Sequence, residues 1–301
     1  MKPQNKRSAR RSGPERPPSP TVSPAILARL REITHLALDL DGTIYKGGTL
    51  FACTRPFLAQ LRELGIGCTF LTNNPSKSSA DYLAHLGTMG LHVTADELYT
   101  SAQATIDWLR ARHPHARRIF ALGTPSMLAQ FSAAGFVLTR EEVDDEPDAV
   151  VIGFDQALAY ARVCRAAWWI QRGKLFVATN PDRVCPTDQP TVLVDCGSIC
   201  AMLEKATGRA PDIVLGKPDP AMLDGILARH SLRPSQIAMV GDRLYTDILM
   251  AHRAGAFGVL VLTGEAKADD AAEAAQPPHL TVPSLAELGA LLAAVHLPLP
   301  R

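Results

Sequence analysis

The sequence predicts an α/β protein, a doubly wound parallel sheet interrupted by an inserted α/β domain, and three observations carry that expectation. Short apolar runs alternate with helical segments from residue 33 onward, the βαβα rhythm that builds a parallel sheet with helices on both faces. No segment repeats at a fixed period. Weak seams near Tyr99–Ser101 and near Gly208–Pro211 set off a middle insert of roughly 100 residues, the size of a small domain.

The elements follow in order. Ile33–Leu40 reads as the first strand. Phe57–Leu64 has helical spacing, Gly67–Leu71 returns as the second strand, and Ala80–Leu86 is helical again. Within the insert, Arg118–Leu122, Ala149–Ile152 and Leu175–Ala178 are strands, the first two each leading into a helical segment. Beyond it, Ile213–Leu215, Ile237–Val240 and Gly258–Leu262 are strands, and Thr246–Ala254 is a helix closed by Gly255 as its C-cap. The resulting division is a tail over residues 1–24, a core over 25–102 and 208–301, and a cap over 103–207.

Composition narrows the class. Of 301 residues, 47% are hydrophobic and 20% charged, with mean hydropathy +0.03. That balance suits a globular fold and sets aside collagen, coiled coil and wholesale disorder. A net charge of +1 offers no electrostatic case for nucleic acid. The charge is uneven: in the first 24 residues Lys2, Lys6, Arg7, Arg10, Arg11 and Arg16 face only Glu15. This Arg/Pro/Ser stretch cannot bury a core and reads as a disordered basic tail. It lacks the apolar segment of a secretory signal, and no apolar run reaches the ~20 residues of a membrane span. The six cysteines show no Cys-x-x-Cys, so buried thiols in a reduced cytoplasm are expected rather than disulfides or zinc. The nine histidines fall in no metal-ligand spacing, and Trp168-Trp169 read as packing within the cap.

In open α/β sheets ligands sit outside the carboxyl ends of the strands, so the residues after each strand decide the chemistry. The first strand delivers Asp39-Leu40-Asp41-Gly42-Thr43 and the second Leu71-Thr72-Asn73-Asn74. The strand at 213–215 delivers Gly216-Lys217-Pro218-Asp219, and that at 237–240 delivers Gly241-Asp242-Arg243, with Asp247 five residues beyond Asp242. Crowded carboxylates repel unless a hard cation sits among them. Oxygen-only ligands favour Mg²⁺ over zinc or copper. Lys217 adds positive charge and Thr72 a donor, which makes a receptacle for a phosphoryl group. One carboxylate can then attack phosphorus, and a second, two residues on, can serve as general acid and base. Singly, each feature has a plainer explanation: Asp41-Gly42 as a turn, Lys217 as a solvated loop lysine, Asp247 as an acid at a helix start, Thr72-Asn74 as an N-cap. Their joint arrival at strand ends outweighs those readings.

These residues resemble the four motifs of the haloacid dehalogenase superfamily: DLDGT at 39–43, LTNN at 71–74, GKP at 216–218 and GDRLYTD at 241–247. TSAQATIDWL (100–109), VVIGFDQALAY (150–160), FVATNPD (176–182) and GSICAMLEKATGR (197–209) are similar to the NagD / 4-nitrophenylphosphatase subfamily, whose α/β cap lies between the second and third motifs. The resemblance spans about residues 33–264. It implies that Asp39 is the nucleophile and a Mg²⁺ ligand, and that Asp41 is the general acid/base with its backbone carbonyl on the metal. Thr72 and Lys217 would hold the transferring phosphoryl, with Asn73 and Asn74 flanking its pocket. Asp242 would bind Mg²⁺ and Asp247 would complete or orient that site. Dehalogenases of the superfamily lack an aspartate at the position of Asp41, because no leaving oxygen needs a proton, so phosphate ester hydrolysis is implied here.

Substrate choice is implied to reside in the cap, where Asp155, Arg183 and Cys185 are candidate contacts and Arg183–Asp195 is the expected substrate-facing loop. Relatives that act on pyridoxal 5′-phosphate carry a histidine near the position of Cys185, from which this chain departs. The implied partner is a small phosphorylated metabolite such as a sugar phosphate, phosphoglycolate or a nucleotide, with no nucleic acid and no membrane. Subfamily members are often dimers through the cap, and the apolar cap segments permit a homodimer. Phosphotransfer to an acceptor other than water, and a catalytically silent binding protein, are the competing readings. A receiver-type signalling domain would need a lone phosphorylatable Asp between its acidic pair and the Thr, whereas Asp39-x-Asp41 precedes Thr72 directly.

Overall fold

The computed structural model describes residues 22–74, 79–185 and 190–297, so residues 1–21 of the expected tail lie outside it. The chain enters at the middle of a six-stranded sheet with His35–Asp39 and steps outward through Gly67–Thr72 to Leu98–Thr100. It later returns on the other side through Ile237–Gly241, Phe257–Val261 and Leu280–Val282. Every neighbouring pair is parallel. His35–Asp39 and Ile237–Gly241 lie side by side, with Leu38 opposite Val240. The winding reverses between these two strands, which opens a crevice at their carboxyl ends. Asp39 and Asp242 are therefore delivered to the same place.

Alternation along the strands supplies both faces. Leu36, Leu38, Phe70 and Val240 pack with residues of the helices Pro24–Glu32, Thr54–Glu63 and Leu285–His296. Ala37, Leu71, Tyr99 and Met239 pack with Ala221–His230 and Leu249–Ala254. The expected helix 246–254 begins with a wider, π-type turn, Leu244–Ile248, before the α-helix proper. Such turns recur at functional sites, and Asp247 lies within this one.

The cap is a second parallel sheet of five strands, ordered Ile213–Val214, Leu175–Ala178, Ala149–Ile152, Arg118–Leu122, Val137–Leu138. Tyr160–Gln171 and Cys196–Thr207 cover one face, where Trp169 is buried with its ring 4.4 Å from that of Trp168. Ile213–Val214 corrects the expected core start at residue 208: it pairs with Val177 and Ala178 of the cap sheet, so the chain leaves the cap only after it. The strand is two residues long and half-buried, too short for its pattern to show which sheet it joins. Helix Ser101–Arg112 serves both units, with Ala104 packed in the core cluster and Ala102, Ile106 and Leu109 in the cap cluster. Among the described residues no disulfide joins two cysteines. No helix among the described residues is long and apolar enough to cross a membrane.

Candidate active site

The turn after Asp39 is wound tightly around one carbonyl, Leu40 O, which accepts from Ile44 N at 2.9 Å and Tyr45 N at 3.2 Å. Gly42 sits at φ +86, in the left-handed region that favours glycine, and a Cβ there would collide with the carboxylate of Asp242. The Gly of DLDGT is thus required by backbone geometry and by its neighbour.

Asp39, Asp242 and Asp247 are 8%, 3% and 0% exposed, and each offers an oxygen within 4.8 Å of the others. Lys217, itself buried, places its ammonium against Asp39 Oδ1 and 2.7 Å from Asp247 Oδ1. Burial pushes the Asp39 carboxyl up to about 7, opposed by Lys217 and reinforced by Asp247 and Asp242. Burial raises Asp242 as well, with Asp247 adding to it. Burial works against the Lys217 ammonium, yet Asp247 and Asp39 overcome it and hold the group protonated. One ammonium among three buried carboxylates leaves negative charge uncompensated. Asp242 Oδ1 is buried with no hydrogen-bond partner, while Oδ2 accepts from Glu265 N at 2.7 Å. A buried orphan oxygen costs about 1–3 kcal/mol unless a ligand claims it. An all-carboxylate donor set with a free oxygen fits a hard divalent cation.

The cleft above this trio is lined by Asp39, Asp41, Thr72, Asn73, Lys217 and Thr246, with Tyr45, Tyr82, His85, Asp182 and Arg243 around them. Asp41 is exposed at this cleft, two residues from Asp39. Thr72 Oγ1 accepts from Asn74 N at 3.2 Å. Asn73 lines the cleft, and its side chain also grips the Lys217 backbone: Oδ1 accepts from Lys217 N at 2.6 Å and Nδ2 donates to Lys217 O at 2.9 Å. Asn73 is the brace that fixes Lys217.

The cap candidates divide. Cys185 meets the loop Thr72–Asn74, accepting from Asn74 Nδ2 at 3.4 Å, and burial pushes its thiol up to about 11, so it stays neutral. Asp155 is not brought to the cleft; its Oδ1 is spent on Ala157 N at 2.9 Å, stabilising its own turn. Arg183 is exposed and likewise absent from the cleft lining. Its backbone carbonyl instead accepts from Asp195 N at 3.0 Å and Ser198 Oγ at 2.7 Å. The expected substrate-facing loop forms a hairpin, Val184–Cys185 against Leu193–Val194, and its residues 186–189 lie outside the described residues.

The structure adds residues that sequence reasoning missed. Asn180 is fully buried and donates to Asn73 O at 2.9 Å, a carbonyl that also accepts from Ser101 Oγ at 2.7 Å. It ties the cap to the loop Thr72–Asn74. Asp182 lines the cleft from the cap, its carboxyl raised by burial. Arg243 and Thr246 line it from the motif that carries Asp242 and Asp247. Asn180 and Asp182 follow the cap strand Leu175–Ala178, so extending the strand-end rule to the cap sheet would have found them.

Known proteins place this geometry. The family model for haloacid dehalogenase-like hydrolases matches residues 36–137, and a second, HAD-hydrolase-like, matches residues 214–288. The ribonucleotide monophosphatase NagD of Escherichia coli is 32% identical over 256 residues, which cover 85% of this chain and 98% of that protein. The structure of a 4-nitrophenylphosphatase from Thermotoga maritima superposes with TM-score 0.81 at 39% identity, covering 87% of this chain and 98% of that one. Glycerol phosphate phosphatase from Mycobacterium tuberculosis, solved in complex with magnesium, superposes with TM-score 0.78 at 34% identity, covering 86% and 77%. With a parallel core sheet, an inserted α/β cap and a buried acid trio at the switch point, this chain belongs to the haloacid dehalogenase-like hydrolases, in the group of NagD and 4-nitrophenylphosphatase.

Proposed function

We propose that this chain is a Mg²⁺-dependent phosphomonoester hydrolase of small phosphorylated metabolites, working through a covalent aspartyl-phosphate on Asp39 with Asp41 as general acid and base. The observation that carries the reading is the buried trio of Asp39, Asp242 and Asp247 around the Lys217 ammonium, with Asp242 Oδ1 unpartnered. In this reading the three carboxylates and the Asp41 carbonyl hold Mg²⁺, whose charge neutralises the phosphoryl oxygens. Lys217 holds Asp39 in place and favours its ionised form, and Thr72 supplies a hydroxyl donor. A carboxylate oxygen of Asp39 bonds to phosphorus as the ester P–O bond breaks, and the Asp41 carboxyl gives its proton to the departing alkoxide. The Asp41 carboxylate then takes a proton from water. The water oxygen bonds to phosphorus, the acyl-phosphate P–O bond breaks, and inorganic phosphate leaves with Asp39 restored. The names of NagD and 4-nitrophenylphosphatase, the magnesium complex, and a cleft of about 260 Å³ all support a small phosphomonoester as substrate.

Hydrolysis of 4-nitrophenyl phosphate with Mg²⁺, against the same assay in EDTA, tests the reading; full turnover in EDTA would sink the metal requirement. Asp41→Asn separates the acid from the rest. In a single turnover it should slow release of an alkyl alcohol by about 10²–10⁴-fold, and release of 4-nitrophenolate, which departs without a proton, far less. Equal slowing of both leaving groups would count against Asp41 as the acid.

Proton and cation compete for the same oxygens. With Asp39 lifted to about 7 and Asp242 raised, the melting-temperature gain from MgCl₂ should be small at pH 5.5 and grow through pH 8. That gain follows the ratio of free ion to Kd. Identical gains at both pH values would remove Asp39 from the ligand set.

A further inference from the structure

We infer that the segment Thr263–Ala266 is a positioning device that aims the Asp242 carboxylate at the cation, an inference that rests on the reading of Asp242 as a Mg²⁺ ligand. The segment follows the strand Phe257–Val261, the sheet neighbour of the strand that delivers Asp242. Glu265 N donates to Asp242 Oδ2 at 2.7 Å, and Ala266 N donates to the Asp242 backbone carbonyl at 3.1 Å. Thr263 Oγ1 donates to Gly42 O at 2.5 Å and so ties the segment to the turn after Asp39. A Cβ at Gly42 or at Gly264 would collide with Oδ2 and Cγ of Asp242. Oδ2 is therefore bonded and walled in, and the carboxylate has no room to swing. The remaining oxygen, Oδ1, is the buried atom without a partner, and it is the one left for the ion.

The segment is latched from outside. The Glu265 carboxylate accepts from Tyr245 Oη at 3.2 Å and lies 2.9 Å from Arg243 Nε in an ion pair. Arg243 N in turn donates to Asp247 Oδ2 at 3.1 Å, so the latch belongs to the same loop that holds the third carboxylate. Outer contacts that orient a ligand are typically worth about 10–100-fold in metal affinity. Gly264 isolates this effect, because its φ lies outside the left-handed region. An alanine fits the backbone there, and what it disturbs is Asp242.

Calorimetric titration of the full metal-free chain with MgCl₂ tests the inference. Gly264→Ala should weaken Mg²⁺ binding about 10–100-fold relative to wild type, with a lower metal-free melting temperature, because its Cβ must displace the walled-in Asp242 side chain. Its kcat on 4-nitrophenyl phosphate should recover as Mg²⁺ is raised, with KM at saturating Mg²⁺ little changed. Mg²⁺ affinity within twofold of wild type would overturn the inference. Should Gly264→Ala fail to fold, Thr263→Val and Glu265→Gln decide instead, each expected to weaken binding roughly tenfold, and unchanged affinity in both overturns it. A wild-type chain that binds no Mg²⁺ overturns the functional reading and this inference with it; wild-type binding that the variants leave unaltered overturns this inference alone.

Discussion

Asp39→Asn is expected to lower turnover of 4-nitrophenyl phosphate by about 10⁴-fold or more, while the metal-free protein becomes more heat-stable at pH 8. Removing a covalent nucleophile takes away the reaction path itself, and losses of this order follow when such groups are deleted. A 10⁴-fold loss corresponds to about 5.4 kcal/mol of barrier. The stability change has the opposite sign. Burial lifts the Asp39 carboxyl from 3.8 to about 7 in the folded chain, so ionising it opposes folding. That penalty is absent below about pH 4, grows as pH rises toward 7, and is fully present at pH 8. An amide of the same shape removes the charge, and Lys217 keeps Asp247 as its partner at 2.7 Å. A thermal melt in EDTA and a kinetic assay in Mg²⁺ read the two effects. Residual activity above about one part in 10² would reject Asp39 as nucleophile. A lower melting temperature at pH 8 would show that its charge stabilises the metal-free site. Activity and stability traded at one residue mark a site strained for function.

The same physics explains which parts were legible in the sequence. Ala149–Ile152 and Leu175–Ala178 start and end where their apolar runs do, because a strand buried on both faces has no polar positions to blur its edges. Leu98–Thr100 and Leu280–Val282 are three residues each, and so short a run becomes a strand only through the sheet it joins. The gathering of Asp39, Asp242, Asp247 and Lys217, with Asp41 and Thr72 at the same cleft, was readable because placement at a strand end is set by local order along the chain. The brace of Asn73 on Lys217 spans 144 positions, and no local pattern reports such a bond. Asp155 and Arg183 have the residue types of a binding site, yet a turn claims the Asp155 carboxylate and Arg183 is exposed. Asp182 and Arg243 gain meaning only when cap and core meet over the same cleft.

Lys217→Met should be the most destabilising single change in the site, costing about 3–5 kcal/mol in metal-free protein at pH 8. The side chain of Lys217 is 6% exposed, and those of Asp39 and Asp247 are 11% and 0%. Water therefore cannot replace the ammonium when it is removed. Three carboxylates with oxygens within 4.8 Å of one another would be left in a low-dielectric pocket with only the Arg243 guanidinium nearby, itself paired with Glu265. Thioether and methylene fill the space of the lysine stem, so packing is kept and the loss is electrostatic. Melting should fall by about 10 °C, given roughly 2–4 °C per kcal/mol for a chain of this size class. Acidification should recover stability, since protonating the carboxylates relieves the repulsion. MgCl₂ should recover it at neutral pH, because the ion supplies the missing positive charge. Recovery by MgCl₂ would not extend to turnover, since the ammonium that holds Asp39 is still absent. Lys217→Arg should restore part of the stability and little of the activity, because a planar guanidinium cannot occupy the point between Asp39 and Asp247 that an ammonium fills. A variant that melts with wild type at pH 8 in EDTA would show that the carboxylates are held apart by packing alone. Asp39 and Asp242 would then have to be largely protonated in the metal-free chain, which titration of the wild type would reveal directly.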